Sequence, residues 1–96
     1  MNKEINAILI DGKDNVVTAI KELPAGRLAR FEKGGEMVTV TVTDEIPKFH
    51  KIALEDILVP KPVYKYGHLI GEAIKPIKTG NHVHDHNIRS PQKTKY

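Results

Sequence analysis

The sequence contains no cysteine and no tryptophan, and it has no long hydrophobic segment. Without cysteine, the chain can form neither a disulfide framework nor a thiolate metal site. No stretch approaches the roughly 20 apolar residues that cross a membrane, and residues 1–4 lack the apolar core of a secretory signal. These absences predict a soluble, cytoplasmic protein that has no membrane partner.

Positive charge is in excess, but the excess lies at one end of the chain. The formal net charge is +3, from 15 lysines and arginines against 12 acidic residues. The last eight residues include Arg89, Lys93 and Lys95 and no acidic residue, so removing them leaves 12 basic and 12 acidic residues. The neutral body also lacks the interleaved arginines and aromatic rings of a single-strand binding surface. We therefore expect no nucleic-acid partner, and residues 90–96 are predicted to form a basic disordered tail.

The length of 96 residues permits one small domain, which we predict over residues 1–89. Hydrophobic residues make up 40% of the chain, which is enough for a modest core. A domain of this size rarely forms a deep catalytic pocket alone. If the chain belongs to an enzyme, we therefore expect a partner chain or an oligomer.

Short apolar segments, separated by glycine or proline, run through most of the chain. This pattern predicts a compact, mostly β domain. The clearest strand is Met37–Thr43, in which valine and threonine alternate, and with Arg27–Phe31 it predicts a hairpin around Gly34–Gly35. A second hairpin is predicted from the strands Val63–Tyr66 and Leu69–Ala73.

Two short helical segments are expected within this β domain. The apolar residues of 16–23 recur at helical spacing, and Asp14 or Asn15 can cap a helix that starts there. A short N-terminal helix is therefore predicted, and Pro24–Gly26 would end it. Leu54–Leu58 is predicted to form a short helical turn.

Three of the five histidines alternate near the C-terminal end of the chain, at His82, His84 and His86. Alternation matches the side-chain period of a β-strand, so a strand here would project all three rings from one face. Imidazole is the commonest protein ligand for divalent metals and the commonest acid or base at neutral pH. The segment therefore predicts either a metal site or an acid–base site, and the alternative is a solvated strand end without a ligand.

Strand geometry limits how many of these rings can share one ion. Alternate residues of a strand lie roughly 6.6 Å apart, so two rings can lean onto one ion at roughly 2.0–2.1 Å each. Three rings span roughly 13 Å, which is too far for one ion unless the strand bends. We therefore expect two ligands from this segment, completed from elsewhere in the chain or by a partner.

Several sequence motifs together resemble one known family. The motifs are Asp14–Val16, Leu23–Gly26, His50–Ile57, Tyr66–Ala73 and Gly80–Asn87. In this order they resemble the altronate and galactarate dehydratases, specifically their N-terminal SAF domain, which also occurs as a separate small subunit. The resemblance implies a SAF-type β-clip fold. The chain departs from the family at Phe49, where glycine usually precedes the His-Lys pair.

The resemblance also implies an activity and a partner. Members of the family eliminate water from sugar acids, give 2-keto-3-deoxy acids and depend on a divalent metal, typically iron(II). Most of the substrate site lies in a much larger chain or domain, so a large dehydratase subunit is the expected partner and a hydroxy acid the expected substrate. Two alternatives stay open: the small subunit of a sulfolactate sulfo-lyase, which eliminates sulfite, and a non-enzymatic SAF module for carbohydrate binding or assembly.

The resemblance assigns candidate roles to individual residues. His84 and His86 are the predicted metal ligands, and His82 is the alternative ligand. His50, Lys51 and His82 are the candidate catalytic residues, because elimination needs acid–base groups and a positive charge for the substrate carboxylate. Asn87 is the candidate substrate-binding residue, since its carboxamide could orient a substrate hydroxyl, and the alternative is that it forms a turn at the end of the strand.

Overall fold

The computed structural model of the protein describes residues 4–90, which form nine β-strands and the turns and bends between them. No helix occurs within residues 4–90, so the prediction of a mostly β fold is confirmed. Apart from Ser90, the tail predicted over 90–96 lies outside the described residues. The strands are β1 (Ala7–Ile8), β2 (Val16–Ala19), β3 (Leu28–Lys33), β4 (Glu36–Thr41), β5 (Lys51–Ala53), β6 (Pro62–Lys65), β7 (His68–Ala73), β8 (His82–Val83) and β9 (Ile88–Arg89).

Strands β1, β2, β5 and β8, in that order, form a central antiparallel sheet. Because alternate residues of a strand face opposite sides, Val17 and Ile52 lie on one face, whereas Val16 and Ala53 lie on the other. Each pair is buried in a different hydrophobic cluster. The central sheet is therefore covered on both faces, which is why β2 begins with two adjacent buried valines.

A β-hairpin packs against each cluster. Strands β3 and β4 pair through the two-residue loop Gly34–Gly35, with φ of 59° and 83°, and Phe31 of β3 is buried in the first cluster. Strands β6 and β7 pair through Tyr66–Gly67, with φ of 61° and 73°, and Val63 of β6 is buried in the second cluster. Positive φ at both loop residues is the type I′ geometry that matches hairpin twist. Both predicted hairpins are confirmed.

A four-residue turn occurs four times and divides the domain into two similar halves. Leu23 forms a backbone bridge with Ile46, and Ile57 forms one with Ile77. Each of these four residues precedes a turn closed by one backbone hydrogen bond. The donors are the N–H groups of Arg27, His50, Lys61 and Asn81, and the acceptors are the carbonyl oxygens of Pro24, Pro47, Leu58 and Lys78, at 3.1, 3.0, 2.6 and 2.9 Å.

The four turns have two different destinations. In each half the first turn, at 24–27 or 58–61, leads into the hairpin, and we call these the leading turns. The second turn, at 47–50 or 78–81, brings the chain back into strand β5 or β8 of the central sheet, and we call these the returning turns. Strands β5 and β8 are neighbours in the sheet, so the two returning turns meet there.

The prediction of an N-terminal helix is wrong, because its first residues form strand β2. Val16 and Val17 are both buried on opposite faces of the sheet, an arrangement that a period of two requires. The predicted cap Asn15 accepts the N–H of Tyr64 at 2.9 Å and donates its amide to the Pro62 carbonyl at 3.0 Å. Long-range pairing therefore overrides the helical spacing of this segment.

The helical turn predicted over Leu54–Leu58 is also wrong, because this segment is an extended connection. Ile57 exchanges two backbone hydrogen bonds with Ile77, at 2.8 and 2.9 Å. The Asp56 carboxylate accepts the N–H and the hydroxyl of Thr79 at 2.8 and 3.0 Å. These contacts lie about 20 residues away along the chain, so no local pattern signals them.

Candidate metal centre

The pairing of β5 with β8 brings three histidines together. The register places Lys51 opposite Val83 and Ile52 opposite His82. Continued by one residue, the same register places His50 opposite His84, on the face that also carries His82. One ligand nitrogen from each of these three rings lies within 4.8 Å of the other two. Within residues 4–90 they are the one group of three or more metal-binding side chains arranged in this way. We call His50, His82 and His84 the histidine triad.

The rings of the triad are in direct contact. His50 Nδ1 lies 2.8 Å from His82 Nε2, which is a hydrogen-bond distance between two imidazoles. The His50 and His84 rings stack with their centroids 4.3 Å apart. A hydrogen bond between two ring nitrogens requires one of them to carry a proton and the other to offer a lone pair. The same two nitrogens can both face one cation once that proton is lost.

The backbone leaves the strand within the histidine segment. The predicted strand through His86 is wrong beyond Val83, because His84–Asn87 forms a turn. Asn87 is buried, accepts the His84 N–H at Oδ1 (2.9 Å) and donates from Nδ2 to the His82 carbonyl (2.8 Å). The strand therefore bends after Val83, but the bend does not bring His82, His84 and His86 together. It turns His84 toward His50 and leaves His86 exposed.

Residues of the first half fix the position of β8. The Asp44 carboxylate accepts the His82 N–H at 2.9 Å, and the Gly80 carbonyl accepts the Thr43 N–H at 2.9 Å. Gly80 has a φ of 91°, and a Cβ at this position would clash with the carbonyl oxygen of Thr41. A glycine is therefore required at the turn that leads into His82. Nothing in the sequence near Asp44 indicates this contact, which spans 38 residues.

Burial and mutual repulsion lower the pKa of two residues of the triad, His82 and His50. Burial, followed by the charges of His86, His50 and His84, lowers the pKa of His82 to about 4, and Asp44 opposes this shift. Burial is also the largest cause that lowers the pKa of His50, with smaller contributions from His84 and Lys51. Neutral imidazole is the form that binds metals. At neutral pH these two rings are therefore ready to act as ligands.

One nitrogen of the triad has no hydrogen-bond partner among the described residues. His84 Nδ1 is buried and unpaired, and leaving a buried polar atom unpaired costs about 1–3 kcal/mol. Nitrogen atoms that share an ion at roughly 2.0–2.1 Å lie about 3.0–3.4 Å apart. The His50–His82 distance of 2.8 Å is close to this spacing, and one nitrogen of His84 lies within 4.8 Å of both ligand atoms. The donor set therefore fits a divalent ion with open coordination positions.

The remaining candidate residues do not belong to the triad. His86 contacts the His82 ring with a centroid distance of 5.1 Å, but its nitrogens are not part of the converging set. The Lys51 side chain lies on the opposite face of the sheet. Burial, followed by the charge of Lys65, lowers the pKa of Lys51. The Asn87 carboxamide is hydrogen-bonded to the backbone. The catalytic role of Lys51 and the substrate contact of Asn87 stay predictions.

Comparison with known proteins identifies the family. Residues 5–91 match the altronate/galactarate dehydratase SAF domain. The chain belongs to this family. The SAF domain is 37% identical over 83 residues to an altronate dehydratase of Bacillus subtilis (strain 168) and 40% identical over 83 residues to that of Escherichia coli (strain K12). Each alignment covers 86% of this chain and 16% of the relative.

The SAF domain is also similar to a shorter protein. It is 41% identical over 49 residues to the (2R)-sulfolactate sulfo-lyase subunit alpha of Chromohalobacter salexigens, which covers 51% of this chain and 52% of that subunit. The chain thus spans about one sixth of the altronate dehydratases and half of this subunit. No described segment forms a helix long and apolar enough to span a membrane.

Proposed function

We propose that this SAF domain supplies histidine ligands to the divalent metal, iron(II), of a lyase that removes water from a sugar acid of the altronate or galactarate type. The product is a 2-keto-3-deoxy acid. The observation that carries the proposal is the convergence of one nitrogen each from His50, His82 and His84 within 4.8 Å. The dehydratase names of the most extensively aligned relatives support the reaction class.

The proposed ligand set is the histidine triad. It keeps His84 from the predicted pair, takes His82 as the second ligand and adds His50 from the neighbouring strand. His86 is exposed beside His82, so we assign it to proton transfer instead of metal binding. Removal of either His84 or His86 lowers activity in this scheme, but only the first removal lowers metal affinity.

The chemistry divides between the metal and the residues of this chain. When bound, the metal polarises the oxygens of the hydroxy acid and stabilises the negative charge that develops when the α-proton leaves. His50 and His82 offer lone pairs at neutral pH, because their pKa values are lowered by burial. Asn87 and Asp44 fix the backbone that carries His82 and His84.

A larger chain or domain completes the site in this proposal. The triad supplies three ligands, and the relatives that carry the dehydratase activity are about six times longer than the aligned region. We assign the substrate pocket and the base that takes the α-proton to that larger part. The 96-residue chain alone is then inactive toward altronate and galactarate.

A second candidate function is the small subunit of a sulfolactate sulfo-lyase. The similarity to two proteins named subunit alpha favours it, because the alignments cover 52% and 76% of those short subunits. The same histidine triad would act there, but the leaving group would be sulfite instead of water. The product formed by the assembled enzyme separates the two candidates.

Anaerobic co-purification from the native host tests the proposal. The tagged full-length chain is expected to elute with a large lyase chain and iron, and the complex is expected to convert altronate or galactarate to a 2-keto-3-deoxy acid. Release of sulfite from (2R)-sulfolactate would favour the second candidate. Turnover by the isolated chain, or a complex with neither metal nor lyase activity, would contradict the proposed role and favour a non-enzymatic module.

A further inference from the structure

We propose that Phe49 is a docking anchor whose ring enters an apolar pocket on the larger lyase chain, next to the histidine triad. This inference rests on the proposed function, because it requires a larger chain to complete the site. It adds the surface on which that chain binds. The occupant is the larger lyase chain, and the pocket that we expect on it is apolar with an acidic rim.

The first observation is the backbone conformation of Phe49, which glycine would adopt without strain. Its φ is 70°, and it occupies the third position of a returning turn. Gly80 holds the equivalent position in the other returning turn, and Gly26 holds it in a leading turn, with φ of 91° and 92°. A side chain at such a φ is strained. Phenylalanine therefore lowers the stability of a turn that glycine would form without strain.

The second observation is that the ring contributes little to the core. Phe49 is 63% exposed, the largest value among the large hydrophobic residues in the described part of the chain. Its backbone N–H donates to the Ala19 carbonyl at 2.7 Å, which fixes the turn without using the side chain. The backbone strain destabilises the folded chain, and a ring that is mostly exposed gains little stability from packing. Aromatic residues, phenylalanine among them, are enriched in protein interfaces relative to the rest of the surface.

The third observation is the position of Phe49 at the open site. His50 follows it directly, so any chain that completes the coordination of His50 must approach this turn. The Lys48 ammonium lies 4.9 Å from the centre of the Phe49 ring and would reach the edge of the same contact. This placement is the reason for expecting acidic groups at the rim of the partner's pocket. Docking at Phe49 would bring the larger chain against the triad.

A matched pair of variants tests the anchor. Tyr66 is also an aromatic residue with positive φ (61°), is 55% exposed, and has Lys65 5.0 Å from its ring centre. It lies beyond the other end of β2, where its N–H donates to Asp14. Phe49→Gly and Tyr66→Gly remove the same strain and the same kind of contact. We expect neither variant to lower the urea midpoint of the isolated chain.

The affinity for the cognate large lyase chain gives the decisive result. Phe49→Gly is expected to weaken binding at least about 30-fold, whereas Tyr66→Gly changes it by no more than about twofold. Metal affinity of the isolated chain should stay the same in both variants. Phe49→Asn, which keeps the left-handed backbone, should lose binding as Phe49→Gly does.

Three other outcomes would overturn the anchor. Wild-type affinity of Phe49→Gly contradicts the anchor alone and leaves the proposed function intact. Loss of metal affinity in Phe49→Gly would instead make Phe49 a positioning residue for His50. If the wild-type chain does not bind the large lyase chain at all, both the anchor and the proposed function are contradicted.

Discussion

The leading turns and the returning turns are each closed by one backbone hydrogen bond but differ in the residues that follow them. Arg27 and Lys61, at the ends of the leading turns, are exposed, whereas His50 and His82, which end or follow the returning turns, are half-buried. The leading turns carry the chain outward into a hairpin. The returning turns carry it into β5 and β8, which pair with each other. The position of the candidate site therefore depends on the strand to which each turn leads.

The difference also explains why the site needs both halves. His50 belongs to the first half, and His82 and His84 belong to the second, so a single half could hold at most two of the three ligands. Asp44 of the first half holds the backbone of His82 in the second. The two halves are thus in contact at the candidate metal site. Substitutions that move the backbone leading into β8, such as Gly80→Ala, should therefore alter metal binding, and equivalent changes at the leading turns or in the hairpins should not.

The largest expected effect comes from removal of a triad residue. His84→Ala should lower metal affinity by more than about 100-fold, because a ligand change exceeds the 10–100-fold typical of supporting residues. Activity of the assembled enzyme should be lost. The fold should be retained, because His84 Nδ1 has no hydrogen bond within the described residues to lose. Metal titration and circular dichroism measure the two effects.

Two histidine variants serve as controls for this prediction. His68 lies exposed in the second hairpin, so His68→Ala should leave both affinity and activity unchanged. His86→Ala should keep metal affinity and lower activity, in accordance with its assignment to proton transfer. A loss of affinity in His86→Ala, with wild-type affinity in His84→Ala, would mean that the triad is not the ligand set.

A glycine pair compares one returning turn with one leading turn directly. Gly80 and Gly26 have almost the same φ, 91° and 92°, so alanine is strained at both. A Cβ at Gly26 meets nothing within 4 Å, whereas one at Gly80 meets the Thr41 carbonyl. We expect Gly26→Ala to lower the free energy of unfolding by about 1–2 kcal/mol. Gly80→Ala should lower it by about 1–3 kcal/mol more, since the backbone must shift.

The backbone shift in Gly80→Ala should also change metal affinity. Gly80 lies two residues before His82, so Gly80→Ala should weaken metal binding, while Gly26→Ala should not. Urea unfolding and metal titration of both variants provide the comparison. Equal destabilisation by the two substitutions would show that the contact between the returning turn and Thr41 does not restrict the backbone.

Two buried asparagines allow a residue that supports the candidate metal site to be compared with one that supports only the fold. Asn87 and Asn15 are 6% and 8% exposed, and each binds one backbone N–H and one carbonyl. Alanine at either position should lower the free energy of unfolding by about 1–3 kcal/mol, because the backbone groups lose their partners. Only Asn87→Ala should weaken metal binding, by about 10–100-fold. Equal metal affinities would remove Asn87 from the support of the triad.

The predictable part of this protein is the part with short-range signals. Gly34 and Gly35 mark the first hairpin, Gly67 marks the second, and the alternation of His82 and His84 marks the site. The position of His50 depends on the register of β5 against β8, which no local pattern specifies. The same holds for 16–23, where pairing with β5 overrides the helical spacing of the apolar residues.

The smallest expected effect is a pH dependence that separates a half-buried from an exposed histidine. Burial and neighbouring histidines lower the pKa of His82 to about 4 in the folded chain, against an ordinary value of 6.5. Between these values the unfolded chain binds a proton that the folded chain does not bind, so the stability of the metal-free protein falls as the pH is lowered from about 6.5 to about 4. Urea unfolding at pH 7.5, 5.5 and 4.5 should show this decline, and His82→Gln should reduce its slope. His68→Gln, at an exposed position of β7, should leave the slope unchanged. A slope that is the same in all three proteins would mean that burial at the returning turn does not hold His82 neutral.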